Sequence, residues 1–248
     1  MNDHKHTGSD PYADLSKRTS GNRPKTGLII IGSTVAVILV LAVVAVLLTT
    51  GGGDDSAADG TGASAAQNSE QEQASVTVTG DPLPAYPEVN SMVAPPAEDP
   101  AVGETPPTLA GQSFDGSKVT IDPADGRAKV VIFVAHWCPH CQAEVPEIQK
   151  WIDAGTQPDN VDLYTVSTSV KADQANYPPS DWLADEGWSP PVLLDSPDQT
   201  AAIAYALPGF PYFVMIDAEG KVVQRASGEV PIDEFGSLVD SLSASSPA

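Results

Sequence analysis

A chain of 248 residues has room for one ordinary domain with substantial extra segments, or for two small domains at most. Its 12 basic residues against 33 acidic ones give a formal charge of −21, which excludes charge-driven binding of nucleic-acid phosphates and repels anionic lipid headgroups. Only two cysteines are present, Cys138 and Cys141, and a bridge between them closes too short a loop to restrain the unfolded chain much, so they are poor candidates for a structural staple.

The charge is uneven along the chain. Lys5, Lys17, Arg18, Arg23 and Lys25 precede position 27, against Asp3, Asp10 and Asp14. Leu28 to Leu48 then carry no charge, and as a helix they reach roughly the 30 Å of a bilayer core. We read residues 27–49 as a transmembrane helix. A cleavable signal peptide has a shorter apolar region ending in a small-x-small site, and the nearest such triplet, Ala63-Ser64-Ala65, lies far downstream. The basic flank keeps residues 1–26 as a cytoplasmic tail. The expected location is therefore the cell membrane, single-pass, with everything after the span extracytoplasmic.

Residues 50–107 read as a disordered tether. Gly, Ser, Ala, Gln and acidic residues run to Gly80, and Pro82, Pro84, Pro87, Pro95, Pro96, Pro100, Pro106 and Pro107 stiffen the stretch beyond it. The folded unit is expected at 108–243, with 244–248 a C-terminal tail.

Within that unit apolar runs alternate with helical patterns. Lys129 to Ala135 is a continuous apolar run of the kind found in a strand covered on both faces. It leads into a helix from Cys138 to Ile152, in which Cys141, Val145, Ile148 and Ile152 share one face. Next come a strand at Val161–Val166, a short helix at Ser180–Glu186, a strand at Val192–Leu194 and a helix at Gln199–Ala206. Tyr212–Ile216 and Val222–Ala226 flank the turn-rich Asp217-Ala218-Glu219-Gly220 and read as an antiparallel hairpin. Pro231 then opens a closing helix that runs to about Leu242. This order implies an α/β fold, a mixed β-sheet flanked by helices.

The chemistry concentrates at Trp137-Cys138-Pro139-His140-Cys141. A three-residue spacing on a helical turn brings the two Cα atoms to roughly the 5–6 Å that a disulfide needs. The helix N-terminus stabilises a thiolate on the first cysteine, and Pro139 fits the first turn, where its missing N–H costs nothing. His140 adds a hydrogen bond or a positive charge. Cys138 is then the exposed nucleophile and Cys141 the buried resolving thiol.

From Thr105 to Leu242 the chain resembles the thioredoxin superfamily, and its arrangement resembles the membrane-anchored TlpA/ResA-type thiol–disulfide oxidoreductases. The residues that carry the likeness are VVIFVA before the C-x-x-C, Pro146 five residues after Cys141, PPVLLD, and Gly209-Phe210-Pro211 before YFVMIDAEGKVV. The resemblance implies a thioredoxin-like fold, a cis-proline at Pro211 beside the cysteine pair, and a substrate segment pairing with the backbone at Phe210. It also implies a shallow apolar surface where Trp137, Pro139 and Phe210 touch substrate, although Trp137 as plain core packing stays open. Ile132 stands where thioredoxins place a buried acid. Glu144 matches a glutamate near the active site of the TlpA/ResA type and is either a proton-transfer group or a solvated carboxylate of the first helical turns.

The implied activity is a protein thiol–disulfide oxidoreductase acting on extracytoplasmic protein thiols and disulfides through a mixed disulfide on Cys138. It needs no cofactor or metal, and it implies a membrane redox partner. Pro139-His140 is the dipeptide of the oxidising DsbA-like branch, whereas the frame is that of the reductants, and we lean to oxidation or isomerisation of secreted proteins. The alternatives are a reductase for extracytoplasmic thiols, such as those of apocytochrome c maturation, and a copper-binding chaperone using His136, Cys138, His140 and Cys141.

Overall fold

The computed structural model describes residues 71–245, apart from 90 and 96. The expected cytoplasmic tail and transmembrane helix lie outside these residues. Among the described residues no helix is long and apolar enough to cross a membrane.

Strands β1 (Thr77–Thr79), β2 (Thr108–Gln112) and β3 (Lys118–Ile121) form a small antiparallel sheet in that order. The rest of the domain runs β4 (Ala128–Val134), α1 (Pro139–Asp153), β5 (Val161–Ser167), α2 (Pro179–Asp185), β6 (Val192–Leu194), α3 (Thr200–Ala204), β7 (Tyr212–Ile216), β8 (Val222–Ser227) and α4 (Ile232–Ser245). Its five strands are ordered β6-β5-β4-β7-β8, with β4, β5 and β6 parallel and β7 antiparallel to both β4 and β8. This is the expected mixed sheet, and the elements anticipated after position 128 are all present.

β4 is buried along its whole length because it is the central strand and both its faces are covered. The pleat divides its side chains between two cores. Val130, Ile132 and Val134 pack with Cys141, Val145 and Ile148 of α1 and Phe235 of α4. Val131 and Phe133 face the other way, onto Leu109, Ile121, Tyr205 and Tyr212. α1 is thereby seated with its first turn at the C-terminal end of the central strand.

The folded unit begins well before position 108. From residue 71 the segment read as tether lies ordered against the domain, with β1 paired to β2. Glu72 accepts hydrogen bonds from the Ser180 hydroxyl at 2.6 Å and its amide at 3.0 Å. The Ala74 amide donates to the Asp195 carbonyl, and that of Leu83 to the Ala204 carbonyl. Val93 bridges Ala226 of β8. Arg225, fully buried, grips this leader by bonding Asp99 (Nε to Oδ2, 2.8 Å), the carbonyls of Pro84 and Ala85, and the Tyr212 hydroxyl. The proline-rich composition does not leave the segment free, because its backbone groups find partners more than a hundred residues away. At the other end α4 continues to Ser245, past the expected boundary at 243.

Candidate active site

Cys138 occupies the N-cap of α1 with an extended backbone (φ −77°, ψ 119°), and Pro139 sits at the first helical position. The Cys138 carbonyl accepts the Gln142 amide at 3.1 Å, so the helix starts at the C-x-x-C itself. From there the helix directs Cys141, Glu144, Val145 and Ile148 inward.

Both cysteines are free thiols. Cys138 is only 5% exposed, not the open side chain expected, and Cys141 is fully buried. The cover over Cys138 comes from the Gly209–Pro211 loop: its sulfur lies 3.9 Å from the Phe210 carbonyl oxygen, and the Phe210 ring meets Trp137 edge-on at 5.8 Å. The Phe210–Pro211 bond is cis. A second cis bond, Tyr177–Pro178, was not anticipated.

A hydrogen bond from the Cys141 thiol is the main cause that lowers the Cys138 thiol to about 6. Burial opposes it, while the Cys141 and His140 amides and the His140 charge assist. Burial pushes the Cys141 thiol far up, and the hydrogen bond it gives to Cys138 adds to this. The first sulfur is therefore poised as a thiolate and the second as a thiol.

Glu144 is 6% exposed, which excludes the solvated reading. Its two carboxylate oxygens accept the Val230 amide at 3.1 and 3.0 Å. Burial raises its pKa to about 8 against the lowering effect of that amide. It borders a cleft of about 380 Å³ whose walls include Met92, Ala143, Glu147, Val230 and Ile232. At neutral pH Glu144 is mostly protonated, one helical turn from Cys141.

His140 and Pro139 are exposed. The His140 Nδ1 contacts the Glu229 carboxylate, and this hydrogen bond, then the Glu229 charge, raises the imidazole pKa. Trp137 is half-buried, its indole N–H bonded to the Ser169 carbonyl at 2.7 Å and its ring covered by the Lys171 ammonium, 3.7 Å from the ring centre. Cys138, His140, Cys141, Glu144, Trp137, Phe210 and Pro211 are thus gathered in one place. His136 stands apart in function: Lys171 N–H donates to its Nε2 at 3.1 Å and its Nδ1 donates to the Ala175 carbonyl at 2.7 Å, so neither nitrogen is free to ligate copper. Among the described residues no group of three or more His, Cys, Asp or Glu side chains is placed to hold a metal ion.

The sequence reading missed Glu229 and Val230. The signal was present in the hairpin: Tyr212 pairs with Ser227, so the residues after β8 emerge beside Pro211.

The chain matches the Redoxin family over residues 100–242. It is 27% identical over 123 residues to the thiol:disulfide interchange protein HelX of Rhodobacter capsulatus, a match over 50% of this chain and 65% of that protein. It is 25% identical over 130 residues to the sporulation thiol-disulfide oxidoreductase A of Bacillus subtilis, covering 52% of this chain and 76% of that one. In fold it is similar to a DsbF homologue from Corynebacterium diphtheriae, with a TM-score of 0.50 and 18% identity over 65% of this chain and 99% of the other. With its family match extending over more than half of its length, the chain belongs to the Redoxin family, and its folded domain is a thioredoxin-like domain of the thiol–disulfide oxidoreductase type.

Proposed function

We propose that the protein exchanges disulfides with extracytoplasmic proteins, held at the membrane by residues 27–49 and working with a membrane redox partner. The observation that carries the reading is the seating of Cys138 at the N-cap of α1 with the fully buried Cys141 one turn further in, an arrangement that favours a thiolate on the first sulfur and a thiol on the second. In the oxidising direction a client thiolate attacks the Cys138 sulfur of the Cys138–Cys141 disulfide. Cys141 leaves and takes a proton, for which Glu144 is the adjacent acid. A second client thiolate then attacks the client sulfur of the mixed disulfide, and Cys138 departs as a thiolate. The client is oxidised and the pair reduced by two electrons. Extended client backbone pairs at Phe210 beside Pro211, with Trp137, Pro139 and Phe210 as the contact surface.

A stabilised thiolate favours the reduced pair, which makes the disulfide an oxidant, so the leaning is to oxidation or isomerisation. Protonated Glu144 adds no negative charge against it at neutral pH. The reductase reading rests on the same carboxyl: a group with a pKa near 8 is also well matched to take the Cys141 proton when Cys141 resolves a mixed disulfide. Equilibration with glutathione decides between them. A potential above about −220 mV supports the oxidising direction, and a lower value assigns the reductase. Cys138→Ser must abolish exchange, and Cys141→Ser must accumulate a client mixed disulfide on non-reducing gels. Exchange that survives Cys138→Ser sinks both directions.

A further inference from the structure

The loop between β8 and α4 reaches the redox site at three successive points. The Gly228 amide donates to the Pro211 carbonyl at 2.8 Å, the Glu229 carboxylate meets the His140 imidazole, and the Val230 amide is held by Glu144. Residue 229 is thus pinned on both sides by backbone bonds to the elements that frame Cys138, and its side chain is aimed at the histidine between the two cysteines.

We propose that Glu229 is a positioning residue of this site, holding His140 as an imidazolium beside the Cys138 sulfur. The inference rests on Cys138 being the nucleophile. The groups that face His140 are Glu229 from the loop and Cys138 and Glu144 from the start of α1, and those that act on Cys138 are Cys141 and His140. Two effects of the Glu229 charge have opposite signs. Acting directly on Cys138 it disfavours the thiolate, whereas acting through a cationic His140 it favours it. The contact decides for the second, because the carboxylate is hydrogen-bonded directly to the imidazole, whose positive charge acts on the sulfur. The side chains of the pair are 63% and 48% exposed, so salt screens it and its effect is modest.

The test is the pH dependence of Cys138 alkylation in the reduced full-length protein, read by peptide mapping. Glu229→Gln keeps the shape and removes the charge. It is expected to move the Cys138 midpoint up by about 0.3 to 0.7 pH units, a loss of rate of about two- to fivefold below pH 6, with the shift shrinking in high salt. In a His140→Gln background the same substitution is expected to cause no upward shift. An unchanged or lowered midpoint, or an equal upward shift without His140, overturns the inference alone. Wild-type labelling at Cys141 ahead of Cys138 overturns it together with the reading on which it rests.

Discussion

The Val230 amide points between the two oxygens of the Glu144 carboxylate, 3.1 and 3.0 Å from them. A single neutral donor does not offset the burial of that carboxyl, and the proton is kept to a pH of about 8. The unfolded chain gives it up near 4.5. Stability from this group is therefore complete below about 4.5 and is lost as the pH rises through about 8.

Glu144→Gln should remove that loss. Compared with the parent in the same redox state, the variant is expected to show no pH-dependent gain near pH 4 and a gain of roughly 2–3 kcal/mol by pH 8, after allowance for water in the adjoining cleft. Urea unfolding at several pH values measures the difference, and parallel curves would contradict the protonated buried carboxyl.

Cys138 has the opposite sign. Its thiol is lowered from 9 to about 6 in the folded reduced protein, so the stabilisation is complete above 9 and is lost as the pH falls through 6. The reduced form should melt above the oxidised one, with a gap that widens between pH 6 and 9 by on the order of 1–2 kcal/mol once solvent screening is discounted. Paired thermal melts check it.

The donor responsible is Cys141. Cys141→Ala removes the largest cause that lowers the Cys138 thiol, and the alkylation midpoint of Cys138 is expected to rise by about one unit. Iodoacetamide rates between pH 5 and 9 give the value, and an unmoved midpoint would assign the lowering to the helix amides instead.

Arg225→Met leaves Asp99 as an uncompensated buried charge and cuts the bonds to the Pro84 and Ala85 carbonyls. A loss of about 3–5 kcal/mol is expected. Adding Asp99→Asn should restore part of it. Urea midpoints of the single and double variants measure both.

Legibility in the sequence depended on how local each signal was. The helix at 139–153, the central strand and the 212–227 hairpin each announce themselves within ten or fifteen residues, through an apolar period or a turn. The cysteine pair did so within four. The leader from 71 to 107 has no such period: buried residues such as Ala74, Leu83, Ala94 and Ala101 are isolated among prolines and polar groups, and its order comes in part from Arg225 and Ser180 far along the chain. β2 and β3 escaped notice because their buried apolar residues, Leu109, Val119 and Ile121, are few and they pair only within the small sheet of β1, β2 and β3. Glu144 could not be assigned because its burial depends on the loop of Val230. The cover over Cys138 likewise comes from a loop 72 residues away.

The leader also runs along the outer side of β8, the last strand of the five-stranded sheet. Val93 bridges Ala226, the Ser227 amide donates to the Met92 carbonyl, the Ala94 amide donates to the Arg225 carbonyl, and Gly103 and Glu104 exchange bonds with Val222. An uncovered edge strand invites pairing with any extended chain, including a second copy of itself. With the outer side of β8 taken up by the chain's own leader, that edge is closed to strand-to-strand association, and the segment protects the fold as well as completing it.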